Sequence, residues 1–263
     1  MDSTQRALTP RMVFAYLGIG AASGILSGLF GVGGGTVIVP LLVMLLAFDQ
    51  RLAAGTSLAA IAISASAGVV SYALADSVAW IPALILAVGA VIGAQIGTWM
   101  LPRISQTVLR WFFVGFLIAV IVSLFLVIPA RDAVLELHLG SALGLALVGI
   151  LTGILAGLIG VGGGIVVVPV LILVFGASDL VAKGTSLLMM IPTALSGTLG
   201  NYRRRNVNLV AAGIIGAAGA ATTTLGAWVA RLVDPFTANV LFAVFLTAIT
   251  AQMAVRAVKG RKG

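Results

Sequence analysis

The sequence predicts an all-α polytopic transmembrane protein built from two homologous halves of opposite orientation, each opened by a helix broken at a glycine-rich turn. Three observations predict it. Of the 263 residues, 61% are hydrophobic and 8% are charged, with a mean hydropathy of +1.22. A soluble chain carries roughly a quarter of its residues as charges, so too few polar groups are present here to clothe a water-facing surface. The apolar residues also run in stretches near the length of about 20 that a spanning helix needs. The third observation is that one stretch of sequence occurs twice.

Gly24 to Leu58 reads GILSGLFGVGGGTVIVPLLVMLLAFDQRLAAGTSL, and Gly153 to Leu187 reads GILAGLIGVGGGIVVVPVLILVFGASDLVAKGTSL. Without a gap, 19 of these 35 positions are identical, at an offset of 129. The same offset pairs Gly68 with Gly197, Gly97 with Gly226 and Trp99 with Trp228. Helices rich in Ala, Gly, Leu and Val match by chance to some degree. They do not match GVGGG, a proline and GTSL at one constant spacing, so the chain reads as two copies of one unit. Residues 1–130 form the first repeat, 131–138 a linker and 139–263 the second.

The elements follow in order. Met12 to Phe48 is a long apolar stretch interrupted at Gly31 to Gly35; Leu52 to Ala75, Val78 to Leu101 and Val108 to Pro129 each fit one span. In the second half Leu139 to Phe175 is the interrupted stretch, followed by Leu180 to Tyr202, Val207 to Leu232 and Phe236 to Val258. Pro82 lies near a helix start, where its missing N–H is harmless. Pro192 lies inside its segment and should kink it. Met1 to Arg11 resembles the basic start of a signal peptide, but it runs straight into the repeat and is read as part of the fold.

Charges set the orientation, since Lys and Arg mark cytoplasmic loops. Arg6 and Arg11, Arg103 and Arg110, the Arg203 to Arg205 run, and Lys259, Arg261 and Lys262 read as inside; Asp76 and the Arg131 to His138 linker read as outside. Both termini are then cytoplasmic in a bacterial-type inner membrane. The first half starts inside and the second outside, which is an inverted-topology repeat. It requires each broken stretch to return to its own side as a hairpin of two short helices meeting near Gly33 and its counterpart. Parallel halves, with one full crossing per broken stretch, are the alternative.

The interrupted helices carry the chemistry. Each glycine costs a helix about 1 kcal/mol relative to alanine, and unwound backbone at membrane depth survives only inside protein or beside a watery cavity. Helices restarting at Thr36 and Ile165 would present free N–H groups and a dipole that attract anions, with Pro40 and Pro169 in or near the first turn. The candidate binding residues are therefore Gly31, Gly33, Gly34, Gly35, Gly160, Gly162, Gly163 and Gly164. The repeated hydroxyls Thr56, Ser57, Thr185 and Ser186 join them, as do Lys183, which stands where the first half has Ala54, and the mid-segment Gln95. The competing reading is packing. Gly20-x-x-x-Gly24, Gly24-x-x-x-Gly28 and Gly153-x-x-x-Gly157 are helix-contact signals, membrane hydroxyls often bond nearby backbone, and long cations snorkel to interfaces. GVGGG lacks the spacing, strand and lysine of a nucleotide-phosphate loop.

Other chemistries find no residues. With no cysteine and one histidine, thiolate, zinc and haem sites are not expected, and neither a cofactor nor catalytic residues are expected. His138 reads as a solvated loop residue. Asp49, Asp76, Asp132, Glu136, Asp179 and Asp234 all fall at segment ends or in loops, so no carboxylate relay inside the membrane is visible. The net charge of +8 sits in clusters between apolar segments and reads as orientation, not as nucleic-acid binding. The expected partners are the lipid bilayer and a small anion; the sequence leaves self-association open.

The duplicated GLFGVGGGTVIVPLL and GLIGVGGGIVVVPVL, each followed by GTSL, resemble the sulfite-exporter TauE/SafE (TSUP) permeases through nearly the whole chain. The resemblance implies a secondary transporter of sulfite, sulfonates such as sulfoacetate, or related organosulfur anions, with the glycine motifs framing the substrate site. An inside-negative potential drives anions outward by about 2.3 kcal/mol per charge per 100 mV, which favours export. An anion channel of the same architecture and a cation-coupled uptake permease are the alternatives.

Overall fold

A computed structural model describes residues 9–105, 108, 111, 114, 115, 117–119, 121, 122 and 138–259. The helices are α1 (Pro10–Phe30), α2 (Gly35–Leu45), α3 (Gln50–Ala73), α4 (Trp80–Met100), α5 (Leu139–Ile159), α6 (Gly164–Leu173), α7 (Asp179–Tyr202), α8 (Leu209–Leu232) and α9 (Pro235–Lys259). Among the described residues, six helices are long and apolar enough to cross a membrane: α1, α3, α4, α5, α7 and α8. The span expected over Val108 to Pro129 and the linker 131–138 lie largely outside the described residues; those described between 108 and 122 are helical. Arg6, Arg261 and Lys262 also lie outside them.

Local chemistry fixes the helix ends. Thr9 caps α1, whose first residue is Pro10, a position where proline's fixed φ suits the helix and its missing N–H is no loss. Asp49 accepts the amides of Arg51 and Leu52, each at 3.0 Å, to start α3. Ser178 and Asn208 do the same for α7 and α8 through Val181 and Ala211. The exposed His138 begins α5. The starts of α1, α2, α3 and α4 recur in α5, α6, α7 and α8 at the offset of 129.

Glycine stripes pack these helices. On α1, Gly20, Gly24 and Gly28 lie against the backbone of α8 at Ile215, Gly219 and Thr223. A Cβ on Gly24 would stand 2.8 Å from Gly219 Cα, and one on Gly28 would stand 2.6 Å from Ala227 N. The second half repeats the contact: Gly149, Gly153 and Gly157 of α5 meet Leu86, Ala90 and Ala94 of α4. The packing predicted for these glycines is thus what they do.

The register of the contacts sets the helix directions. Numbers rise together along α1 and α8 and along α5 and α4, so each pair is parallel. They rise together again for α3 and α8, through Ser64–Gly219 and Ser71–Thr224, and for α7 and α4, through Ser196–Val91 and Gly200–Thr98. They run oppositely for α3 and α7, where Leu58 meets Gly197 and Leu187 meets Gly68. It follows that α1 and α5, equivalent in sequence, point in opposite directions, which is compatible with inverted halves. The turns between paired helices echo this: Asp76 and Arg205, one offset apart, both sit in left-handed backbone with φ of 49 and 59° but carry opposite charge.

Each broken stretch doubles back on itself. Gly34 lies against Ser23 of α1, and Phe48, beyond α2, makes an edge-on ring contact with Tyr16 at 6.5 Å. The two arms are unequal, however. The sequence suggests two short helices, but α1 has 21 residues against 11 in α2, because the glycines fall at the end of a full-length helix. α9 closes the bundle by stacking Phe242 and Phe245 on Phe30, with centroids 4.8 and 5.7 Å away.

Candidate substrate site at the paired glycine turns

The two GVGGG segments form the same turn. Gly31 and Gly160 end α1 and α5 in left-handed backbone, and Gly33, Gly34, Gly162 and Gly163 follow at φ of 73, 73, 82 and 87°. An L side chain pays about 1–2 kcal/mol for that region and glycine does not, so the chain reverses here without strain. The short helices then begin at Gly35 and Gly164, with Gly34 and Gly163 as caps that offer no side-chain oxygen. Neither first turn is capped by a side chain, so its N–H groups and dipole point forward, the geometry that favours negative charge. Both helices start one residue earlier than predicted. Pro40 and Pro169 consequently lie inside α2 and α6 as their sixth residues, past the first turn, where each denies an N–H to the carbonyl of Thr36 or Ile165.

The turns meet. A Cβ on Gly35 would come within 2.7 Å of Gly160 O, and one on Gly164 within 2.6 Å of Gly31 O. Each short helix therefore starts against the opposite turn. Ile61 and Met190, one offset apart and each at the middle of a 24-residue helix, fill the space between. Met190 crowds Gly33, Gly162 and Gly164, and Ile61 crowds Gly33, Gly35 and Gly162. A helix of that length is about 36 Å long, so this crossing lies near the middle of a bilayer. Val32 and Val161, at 0% and 4% exposure, tie the turns into the hydrophobic cluster with Phe30, Leu117 and Phe242.

Two polar stripes flank the crossing. On α3, Ala54, Ser57 and Ile61 share a face; on α7, Lys183, Ser186 and Met190 do. Ala54 abuts Gly160, and the Lys183 stem abuts Gly31, whose added Cβ would sit 2.6 Å from Lys183 Cα. Ser186 donates to Gly31 O at 3.0 Å. Ser57 Oγ is buried without a hydrogen-bond partner, as are Ser27 Oγ and Thr36 Oγ1. A buried hydroxyl left unpaired costs about 1–3 kcal/mol, so these are positions where a polar ligand would be favoured.

The other candidates are used differently. Thr56 Oγ1 accepts the amide of Asn208 at 3.0 Å, and Thr185 Oγ1 accepts that of Ala79 at 2.9 Å. Both hold the loops that start α8 and α4. Gln95 is exposed on α4 and donates to Ser196 O and Oγ at 2.7 and 2.8 Å, so the fold does not bring it to the turns.

Asp179 is the residue that sequence reasoning passed over. It does begin a helix, as expected of a segment end. Yet it is 1% exposed, its Oδ2 pairs with Lys183 Nζ at 3.4 Å, and its Oδ1 has no hydrogen-bond partner. The start of α7 is buried because it tucks beside the α1 turn, and no pattern in the sequence signals that. The carboxylate thus stands at a helix end and not mid-span, as expected, but protein encloses it. Tyr72 is a second omission: its hydroxyl donates to Gly28 O at 2.7 Å, fully buried.

Comparisons with known proteins identify the chain's family. Residues 2–124 and 145–263 match the family described as sulfite exporter TauE/SafE. A segment of 74 residues is 40% identical to the "Probable membrane transporter protein YunE" of Bacillus subtilis (strain 168), covering 28% of this chain and 27% of that protein. Over 204 residues the chain is 31% identical to a "Probable membrane transporter protein" of Xylella fastidiosa (strain Temecula1), covering 76% of this chain and 77% of that protein. The counterpart in strain 9a5c is 32% identical over the same shares. No solved structure matches the chain. With both halves matched, the chain is a multi-pass membrane transporter protein that belongs to the sulfite exporter TauE/SafE family.

Proposed function

We propose that the chain is a secondary carrier of small sulfur-containing anions, sulfite or sulfonates such as sulfoacetate, and that it exports them across a bacterial-type inner membrane. One observation carries the reading: two helix N-termini, uncapped by side chains, converge between the middles of α3 and α7. Each N-terminus carries roughly half a positive charge, and backbone amides in turns of this kind bind oxyanions. Gly31, Gly33, Gly34, Gly35 and Gly160, Gly162, Gly163, Gly164 supply the backbone. Ser57 and Ser186 supply hydroxyls, Thr56 and Thr185 brace the loops beside them, and Lys183 supplies the charge. The family's description supports sulfite and its relatives as the class to test first. The membrane potential alone drives an anion outward. The Arg203–Arg205 turn is assigned to the cytoplasm by its charge, as are both termini.

Carrier is favoured over channel because Ile61 and Met190 fill the crossing. An anion reaches the turns only after the halves move, as alternating access requires. Counterflow in proteoliposomes tests this. Vesicles loaded with unlabelled sulfite should accumulate labelled sulfite transiently and saturably, and sulfoacetate should compete. Ohmic single-channel current without counterflow would replace the carrier with a channel.

A further inference from the structure

Lys183 and Asp179 form a buried pair found in one half only; one offset back stand Ala54 and Gln50. The pair is poorly made. Its 3.4 Å separation exceeds the roughly 2.7–2.9 Å of a strong charge-assisted bond, and Asp179 Oδ1 lacks a partner. A buried carboxylate gains from its cation only when its remaining lone pairs are also satisfied. Among the described helices packed on α7, few other ionisable groups occur. Of the helices packed on α7, α4, α5 and α6 carry no ionisable side chain. α3 brings Tyr72, whose hydroxyl is committed to Gly28 O, and Arg51, at the end of α3 that antiparallel packing sets away from the start of α7. Arg231, at the end of α8, is within electrostatic reach of Tyr72, as is Asp179.

We propose that Asp179 is an internal stand-in for the transported anion: it neutralises Lys183 in the empty protein, and the substrate takes its place on the ammonium. The proposal rests on the anion-carrier reading. The Lys183 stem already lies across Gly31, and Ser186, one turn further on, holds the Gly31 carbonyl. A swing of the four-carbon side chain transfers the ammonium from Asp179 to an anion at the turn. Exchange of one negative partner for another keeps the charge on Lys183 matched in both states, and the cost of the exchange falls on Asp179, which is left buried without its cation. A neutral analogue cannot make the exchange, which gives the site charge selectivity. The displaced carboxylate then repels the anion and hastens its release.

The test measures sulfite transport and sulfite-dependent melting in the wild type, Asp179→Asn and the pair-deleted Asp179→Leu/Lys183→Leu. Without its internal competitor, Asp179→Asn should bind at least tenfold more tightly, with a lower KM and a lower maximal rate. Sulfite should also raise its melting temperature more than it raises that of the wild type. That melting readout stands even where loss of the carboxylate weakens the fold. The pair-deleted protein should fold and lose at least tenfold in affinity. Asp179→Asn with wild-type KM and wild-type melting response overturns the proposal, as does a pair-deleted protein with wild-type KM. A wild type with neither flux nor melting response would instead overturn the carrier reading itself.

Discussion

Alanine at Gly160 and at Gly162 should give different outcomes, although both glycines have φ near +80°. The backbone penalty is common to both, about 1–2 kcal/mol for an L residue in the left-handed region. The surroundings differ. At Gly162 the new Cβ overlaps Met190 Cε and stands 3.3 Å from Ile61 Cδ1. A methionine terminus has three rotatable bonds and yields at little expense, so the total stays about 1–2 kcal/mol. At Gly160 the new Cβ falls on the Ala54 backbone, 2.6 Å from Ala54 O. The chain of α3 cannot rotate away, and overpacking adds about 1–3 kcal/mol. Gly160→Ala should therefore melt below Gly162→Ala in detergent. Adding Met190→Ala should interact with Gly162→Ala by at least about 0.5 kcal/mol, as contacting sites do. It should add to Gly160→Ala without interaction, because the three atoms nearest a Cβ on Gly160 all belong to Ala54. If Gly160→Ala melts at or above Gly162→Ala, or if Met190→Ala relieves Gly160→Ala, the packing described for the two turns is wrong.

Other expectations follow from the same contacts. Leucine at Gly24 or Gly153 would drive a side chain into the backbone of Gly219 or Ala90, so either variant should lose assembled protein on size-exclusion chromatography. Thr185→Val removes the acceptor for the Ala79 amide and should cost about 1–3 kcal/mol of stability, read as a lower melting temperature. Gln95→Ala should keep sulfite flux within about twofold of wild type, a change worth under about half a kcal/mol, since its bonds to Ser196 lie on the exposed face of α4.

The repeat made most of this architecture legible from sequence. Helix starts recur at the same offset that pairs GVGGG with GVGGG, and the glycine stripes predicted to pack do pack. Loop charge called for each broken stretch to double back, but as two short helices, whereas α1 is full-length and only α2 is short. What escaped is what tertiary contact creates. Asp179 reads as a segment end, and its burial comes from tertiary neighbours, with the α1 turn and the α3–α4 loop both lying against the start of α7. Thr56 and Thr185 look like ligand hydroxyls, whereas each accepts an amide from a loop more than a hundred residues away. Gln95 lies mid-segment, as read from sequence, but on an exposed face of α4 with its amide held by Ser196. Periodicity reports which face of a helix is apolar, not which neighbour covers it.

The central claim is that the paired glycine turns carry a small sulfur anion. Efflux of labelled sulfite from proteoliposomes under an imposed inside-negative potential tests it most directly, with the wild type beside Gly34→Leu/Gly163→Leu. Leucine at these caps would meet left-handed backbone at both positions and the Ser23 backbone at Gly34, closing the helix starts while leaving the six long helices to insert. The account predicts saturable, potential-driven efflux from the wild type and none from the inserted double variant. Equal efflux from both would contradict it.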